Sequence, residues 1–253
     1  MSEPVDALRM LDVDGRSIAV RALAGSGPGV LWLGGFKSDM TGTKAEDLAQ
    51  WALERKRAYV RFDYSGHGAS GGRFEEGTVS AWLADARAVL ETCTQGPQIL
   101  VGSSMGGWIA LLLARVLPPG RLKALVLIAP APDFTEDLMW SGFSEAVRAQ
   151  ILTHGHYALP SAYGEPYVIT CALIEDGRRN LVLNAPFAVG CPVHILQGAR
   201  DEEVPWRHAL RLVTCLAQDD VVFTLVKDGD HRLSRPQDLD RLRTVLNAIE
   251  VAP

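Results

Sequence analysis

The chain has 253 residues, of which 47% are hydrophobic and 22% are charged, the balance of an ordinary soluble globular protein. Its 25 basic and 30 acidic residues leave a formal charge of −5, which argues against general electrostatic binding to nucleic acid or to anionic membranes. No apolar stretch approaches the roughly 18 residues of a membrane-spanning helix. We therefore expect a single α/β domain over residues 1–253, with no membrane span.

Eight short apolar runs predict the strands of a β-sheet. Asp14-Gly15 separates the first two runs, and this dipeptide is a strong signal for a hairpin turn. The later runs are almost continuously apolar, which is typical of parallel strands buried on both faces. The predicted strands cover residues 8–13, 16–22, 30–33, 59–62, 99–101, 125–128, 193–196 and 221–226.

Longer segments between the later strands carry apolar residues at helical spacing. One of them, 105–117, is almost wholly apolar, as expected for a helix packed centrally on a sheet. Strand–helix alternation after an opening hairpin predicts an eight-stranded, mostly parallel sheet with helices on both faces. The predicted helices cover residues 43–57, 79–90, 105–117, 206–216 and 239–249.

The interval between the sixth and seventh strands is too long for a simple crossover. It contains some sixty residues and no clear strand, so we predict a small, mostly helical cap at about 131–190, over the carboxyl edge of the sheet. The alternative is an excursion that merely covers the sheet. The interval also contains Phe134, Leu138 and Met139. The aromatic residues that we predict to line a substrate pocket are Trp140, Phe143, Tyr157, Tyr163 and Tyr167.

The sharpest chemical signal is the G-x-S-x-G pattern at 102–106, where a predicted strand runs into a predicted helix. A reactive serine on such a tight turn needs small neighbours, which Gly102 and Gly106 provide. The helix that follows directs amide donors at developing negative charge. We therefore predict that Ser104 is a nucleophile and that Ser103 has a supporting role.

A serine at its ordinary pKa needs a general base held by an acid. In this fold class the chain order is nucleophile, acid and base, and His231 follows the last predicted strand. Asp201 follows the preceding strand and is the predicted acid. Glu202 is its nearest rival, and Asp230 is another.

An oxyanion hole needs two backbone donors near the nucleophile. We predict the amide of Met105, directly after the nucleophile, and that of Phe36, on the glycine-containing loop after the third strand. The glycine-rich segment 62–72 lacks the order of a phosphate-binding loop and is interpreted as a structural turn. The sequence predicts neither a metal site nor a cofactor.

These motifs together resemble the α/β-hydrolase superfamily over nearly the whole chain. Residues 63–70 match that superfamily's D-x-x-G-x-G-x-S turn. Residues 38–45, 61–66, 96–108 and 201–206 are similar to one branch, which contains mitochondrial palmitoyl-protein thioesterases that also hydrolyse acyl glucuronides, and their bacterial relatives. The resemblance implies an α/β-hydrolase fold with Ser104 as nucleophile, Asp201 as acid and His231 as base.

We therefore expect a serine hydrolase of carboxylic esters or thioesters, with a small-molecule substrate or an S-acylated protein and no nucleic-acid partner. The alternatives are a carbon–carbon bond hydrolase, a peptidase or a cofactor-free lyase on the same fold, or a non-catalytic receptor. An anionic sugar leaving group could pair with Arg178 and Arg179, although a solvated arginine pair is the simpler interpretation. The acidic N-terminus and the absence of a C-x-x-C pair predict a cytoplasmic protein with free thiols.

Overall fold

The computed structural model describes residues 6–161 and 164–251. Its main sheet has eight strands in the order β1-β2-β4-β3-β5-β6-β9-β10, and a second sheet pairs β7 with β8. The strands are β1 (Leu8–Val13), β2 (Arg16–Leu23), β3 (Ser26–Leu33), β4 (Arg57–Phe62), β5 (Gln98–Ser103), β6 (Leu122–Ile128), β7 (His156–Ser161), β8 (Gly164–Thr170), β9 (Val193–Gly198) and β10 (Val221–Val226). The predicted fold class, an eight-stranded and mostly parallel sheet, is confirmed.

Antiparallel pairing is confined to the start of the main sheet. Strand β1 pairs with β2 from Leu8 opposite Arg21 to Val13 opposite Arg16, and β2 pairs antiparallel with β4. All later neighbours are parallel. Strand β3 begins at Ser26, four residues before the predicted start, because Gly27, Pro28 and Gly29 hide its first half from an apolar pattern.

Helices cover both faces of the sheet, and each face has its own apolar core. The helices are α1 (Thr43–Glu54), α2 (Val79–Cys93), α3 (Met105–Ala114), α4 (Glu145–His154), α5 (Cys171–Arg179), α6 (Trp206–Cys215) and α7 (Pro236–Val251). One core joins α1 and α7 to the sheet, and the other joins α2, α3 and α6 to the opposite face. None of the helices in the described part of the chain is long and apolar enough to cross a membrane.

The segment between β6 and β9 contains more than the predicted helices. It has a π-helical turn at Thr135–Trp140 and the helices α4 and α5, but also the antiparallel hairpin of β7 and β8. The expectation that this interval lacks a strand was wrong. Pro160 and Pro166 lie within the two strands, and proline weakens the strand signal of a sequence, although an isolated hairpin tolerates it at an edge.

Two buried carboxylates hold this cap in place. Asp133 accepts hydrogen bonds from the amides of Val182 and Leu183, at 2.8–3.1 Å, and thereby closes the base of the insertion. Asp176 on α5 accepts from the amide and hydroxyl of Ser80 at the start of α2, at 2.8 and 2.9 Å. The cap is therefore closed at its base by Asp133 and joined to α2 by Asp176.

Candidate active site

The turn between β5 and α3 presents Ser104 at the carboxyl edge of the sheet. Ser104 has φ 54° and ψ −118°, a strained conformation for a residue with a side chain. The residues two positions before and two positions after Ser104 must be glycine. A Cβ on Gly102 would collide with the carbonyl of Gly106, and a Cβ on Gly106 would collide with the carbonyl of Leu33. Local crowding therefore explains the spacing of the G-x-S-x-G pattern and the exposure of the serine hydroxyl.

The loops after β9 and β10 bring two further side chains to Ser104. Its Oγ lies 3.1 Å from Nε2 of His231, and Nδ1 of His231 lies 2.8 Å from Oδ2 of Asp201. The carboxyl ends of these parallel strands share one edge of the sheet, so residues far apart in sequence meet there. The structure thus joins the three residues of the predicted triad into one hydrogen-bonded chain.

Asp201 is buried and is surrounded by donors. Oδ2 accepts from Nε2 of Gln197 at 3.0 Å besides His231, and Oδ1 accepts from the amides of Glu203 and Val204 at 3.0 and 2.8 Å. Four donors around a buried carboxylate satisfy both of its oxygens and fix its orientation. Asp201 therefore favours the tautomer of His231 that carries hydrogen on Nδ1 and a lone pair on Nε2.

The rival acids lie elsewhere. Glu202 and Asp230 are exposed, and Asp230 accepts a hydrogen bond from the amide of Leu233 at 3.0 Å. Glu203 is nearer to the triad, because its Oε2 lies 3.8 Å from Nε2 of His231, on the side of the imidazole that faces Ser104. Its side chain is 60% exposed, so water screens this contact.

Both predicted oxyanion donors border the same space as Ser104. Met105 is the first residue of α3, and the first amides of a helix have no partner within it. Phe36 lies on the loop after β3, next to Gly35, where an added Cβ would lie 3.4 Å from Cβ of Ser104. The loop backbone thus passes directly beside the serine.

A cavity of about 660 Å³ opens above Ser104, within the size range of small-molecule sites. The lining comes from β3 and the loop after it, the start of α1, the turn at Ser104, the cap, and the loops that carry Glu203 and His231. Its apolar side chains are those of Trp32, Phe36, Met105, Ala131, Phe134, Leu138, Met139, Leu159, Tyr167 and Val204. Apolar side chains, most of them from the cap, and polar side chains therefore border the same cavity.

Of the aromatic residues predicted to line the pocket, the structure places Tyr167 in the lining. Trp140 instead packs under the guanidinium groups of Arg148 and Arg178, and Phe143 and Tyr157 pack against each other with ring centroids 6.2 Å apart. These three are not among the lining residues, so their assignment to the pocket is corrected. Tyr163 lies outside the described residues.

The arginine pair considered for a sugar carboxylate is also engaged elsewhere. Arg178 pairs with Glu136 at 2.7 Å and Arg179 with Asp176 at 2.9 Å. The basic residues that do line the cavity are Lys37, Lys44 and Arg232. The sequence analysis did not predict any of the three. Lys37 directly follows Phe36 and Arg232 directly follows His231, so adjacency to a predicted site residue could have identified these two.

Lys44, near the start of α1, is tied to the histidine loop. Its Nζ donates to the carbonyl of Arg232 and to Oγ of Ser234, the latter at 3.3 Å. Burial lowers the pKa of the Lys44 ammonium to about 8, and the nearby Asp230 opposes that shift.

No cluster of three or more His, Cys, Asp or Glu side chains within residues 6–161 and 164–251 is arranged to hold a metal ion.

Known proteins are similar to this chain in both sequence and fold. A family model described as serine aminopeptidase, S33, matches residues 32–163. The mouse palmitoyl-protein thioesterase ABHD10, mitochondrial, is 35% identical over 228 residues, which cover 89% of this chain and 76% of that protein. Among solved structures, a putative hydrolase from Agrobacterium vitis S4 is 48% identical with a TM-score of 0.91, covering 96% of this chain and 98% of that one. Mouse alpha/beta hydrolase domain-containing protein 10 is 33% identical with a TM-score of 0.88 and the same coverage. The chain therefore belongs to the α/β-hydrolase family, together with the ABHD10 thioesterases.

Proposed function

We propose that this protein is a serine hydrolase that cleaves carboxylic esters or thioesters through an acyl-enzyme on Ser104. The observation that carries the proposal is the unbroken hydrogen-bonded chain from Ser104 Oγ through His231 to Asp201, with contacts of 3.1 and 2.8 Å. The name palmitoyl-protein thioesterase, which the mouse relative bears, supports hydrolysis of an ester or thioester in general.

The reaction follows from the geometry of these groups. Nε2 of His231 takes the hydroxyl proton while Oγ of Ser104 attacks the carbonyl carbon, and Asp201 stabilises the imidazolium that forms. The amides of Phe36 and Met105 donate to the tetrahedral oxyanion. His231 then protonates the leaving alcohol or thiol as the acyl-enzyme forms. In the second half it activates a water molecule, and the acid is released from Ser104.

The apolar side chains that the cap contributes to the cavity mark the proposed site of the acyl chain. Phe134 and the π-helical turn supply apolar side chains from the cap, while Leu159 and Tyr167 supply them from its hairpin. These groups favour a hydrocarbon chain over a charged acyl group, because burial of apolar surface stabilises the complex. We therefore propose an acyl-chain substrate, as the name palmitoyl-protein thioesterase gives for the mammalian relatives.

A sugar leaving group is less well supported. The arginine pair that sequence reasoning offered for it is engaged with Glu136 and Asp176, away from the lining. Ser38, Thr43 and Ser234 also line the cavity, and we place the leaving group of an ester or a thioester beside these polar side chains. Thioesters, simple esters and acyl glucuronides, which release a thiol, an alcohol and a sugar respectively, are therefore separate arms of the substrate assay.

Labelling with a fluorophosphonate probe tests the proposed nucleophile. We expect the mass shift on the peptide that contains Ser104, and Ser104→Ala should lose both labelling and roughly 10³- to 10⁶-fold in kcat on p-nitrophenyl esters and acyl thioesters. The matched control is Ser103→Ala, which should retain most activity. Labelling on Ser103, or an active Ser104→Ala variant, would overturn the proposal. Activity on peptide anilides alone would replace the esterase by a peptidase.

We also propose a cytoplasmic location, which the four free cysteines support because a reducing compartment keeps thiols unpaired. The mammalian relatives are named as mitochondrial. Cell fractionation of the native source with an antibody to the protein distinguishes the two, and recovery in an organelle fraction would refute the proposal.

A further inference from the structure

The loop that carries Phe36 is held from outside by a buried histidine. Within the loop, the amide and the hydroxyl of Ser38 both donate to the carbonyl of Gly35, at 3.2 and 2.8 Å. The amide of Lys37, however, donates to Nε2 of His67 at 3.1 Å. Lys37 has φ +60°, a left-handed conformation that a lysine adopts only where its surroundings impose it.

The surroundings of His67 fix which ring nitrogen accepts. Nδ1 lies 3.2 Å from the carbonyl of Ser65, and a carbonyl can only accept, so Nδ1 carries the hydrogen and Nε2 carries the lone pair. The ring is 4% exposed and packs edge-to-face against Tyr64, Phe74 and Trp82. Burial lowers the pKa of His67, and the Lys37 ammonium acts in the same direction, whereas the hydrogen bond to the Ser65 carbonyl and the Asp85 carboxylate oppose the shift.

The ring of Phe36 lies in the same aromatic cluster. Its centroid is 4.9 Å from that of Phe74 and 5.9 Å from that of Trp82, and both of these rings also contact His67. The loop is therefore held twice, through the Phe36 side chain and through the backbone amide one residue later. Fixing the amide of Lys37 fixes the peptide plane that follows Phe36, and with it the backbone on that side of the proposed oxyanion donor.

We propose that His67 is a positioning residue for the oxyanion hole: its Nε2 anchors the Lys37 amide and thereby holds the Phe36 amide toward the oxyanion above Ser104. This inference rests on the proposed function, since it assigns Phe36 the role of donor. His67 itself does not touch the substrate, because it is absent from the residues that line the cavity in the described part of the chain. The segment 62–72, interpreted from sequence as a structural turn, thus acts on the reaction through the neighbouring loop.

A pair of variants separates positioning from packing. His67→Phe retains a flat ring against Tyr64, Phe74 and Trp82 but has no acceptor for the Lys37 amide, whereas His67→Gln restores an acceptor at about the position of Nε2. The carbonyl of Ser65 keeps a donor in both, since Nε1 of Trp82 also donates to it at 3.2 Å. The difference between the variants therefore reports on the bond to Lys37.

The measurements are kcat and KM on a p-nitrophenyl ester, and the inhibition constant of a trifluoromethyl ketone, which forms a tetrahedral adduct with an active serine. Loss of one oxyanion donor costs roughly 10²- to 10³-fold in kcat, so misplacing it in His67→Phe should cost about 10- to 100-fold, with KM changed less than threefold. Inhibition by the ketone should weaken by a similar factor, and His67→Gln should recover most of the loss in kcat and most of the loss in inhibition. Unchanged kcat and ketone inhibition in His67→Phe, or equal losses in both variants, would overturn the proposal.

Two further measurements keep the outcomes distinct. If Ser104→Ala remains active or the wild type escapes the fluorophosphonate probe, the proposed function itself fails; if both behave as expected while His67→Phe is fully active, only the role of His67 fails. Should His67→Phe not fold, nitrogen NMR of the wild-type His67 ring decides the matter without a variant. Hydrogen on Nδ1 agrees with the proposal, and hydrogen on Nε2 would refute it, because that nitrogen could not accept from Lys37.

Discussion

Replacement of Asp201 by asparagine should disable His231 without disturbing the fold. In the wild type, Oδ1 of Asp201 accepts from the amides of Glu203 and Val204, and Oδ2 accepts from Gln197 and His231. An asparagine has one acceptor and one donor in place of these two oxygens. Because both backbone amides lie on the Oδ1 side, the side-chain oxygen stays there and the NH₂ group faces His231.

The consequence is a change of tautomer. An NH₂ group opposite Nδ1 makes that nitrogen an acceptor, so the hydrogen moves to Nε2, which then cannot take the proton of Ser104 3.1 Å away. In serine proteases this exchange of acid for amide costs roughly 10⁴ in kcat, which is about 5.4 kcal/mol at 1.36 kcal/mol per factor of ten. We expect a loss of that order in kcat for Asp201→Asn, with KM nearly unchanged.

The assay is steady-state hydrolysis of a p-nitrophenyl ester, with thermal unfolding as a check that the variant is folded. Glu202→Gln and Asp230→Asn are the matched controls, since each removes one charge from an exposed carboxylate on the same two loops. Both should retain activity within about threefold. A loss in Asp230→Asn as large as that in Asp201→Asn, or an Asp201→Asn variant with wild-type kcat, would refute the reasoning.

Two further predictions concern the walls of the cavity. The pKa of Lys44 is about 8 in the folded protein and 10.5 ordinarily, so the unfolded chain binds more protons between those values and the free energy of unfolding should rise with pH there. The shift amounts to roughly 3 kcal/mol at most, and urea unfolding at pH 7 and 10 should show that Lys44→Met lacks this part of the rise; equal rises in both proteins would contradict it. For the acyl chain, each buried CH₂ contributes about 0.8 kcal/mol, so kcat/KM on matched esters should increase up to roughly 100-fold from two to six carbons, and less so in Phe134→Ala. A flat profile in the wild type would argue against an apolar acyl site.

The sheet and the placement of the candidate triad at its edge could be predicted because their signals are local. Gly102 and Gly106 are required by contacts with neighbouring backbone, and those contacts recur wherever a strand turns sharply into a helix around an exposed serine. His231 and Asp201 follow from chain order, because strands that run parallel deliver their following loops to one edge. Neither prediction depends on how side chains that are distant in sequence pack together.

The cap was harder because its signals compete. The hairpin of β7 and β8 contains Pro160 and Pro166, which oppose a strand assignment, and its register places Leu159 opposite Tyr167 only once the two strands have paired. The positions in the cavity of these two residues therefore depend on a long-range pairing that apolar periodicity does not report. The proposed role of His67 could not be predicted for the same reason, since its acceptor nitrogen contacts an amide 30 residues earlier in the chain.

Aromatic content alone does not identify a pocket in an insertion of this kind. The cap must hold itself together as well as cover the substrate, and Trp140 serves the first purpose by packing against Arg148 and Arg178. Tyr167 serves both purposes: its ring packs edge-to-face against that of Phe36, with ring centroids 6.3 Å apart, and it lines the cavity above Ser104. The wall that we propose to select the acyl chain and the loop that supplies the proposed oxyanion donor are thus in direct contact. A substitution chosen to change chain-length preference at Tyr167 should therefore also change kcat, whereas one at Leu159 should change chain-length preference with less effect on kcat.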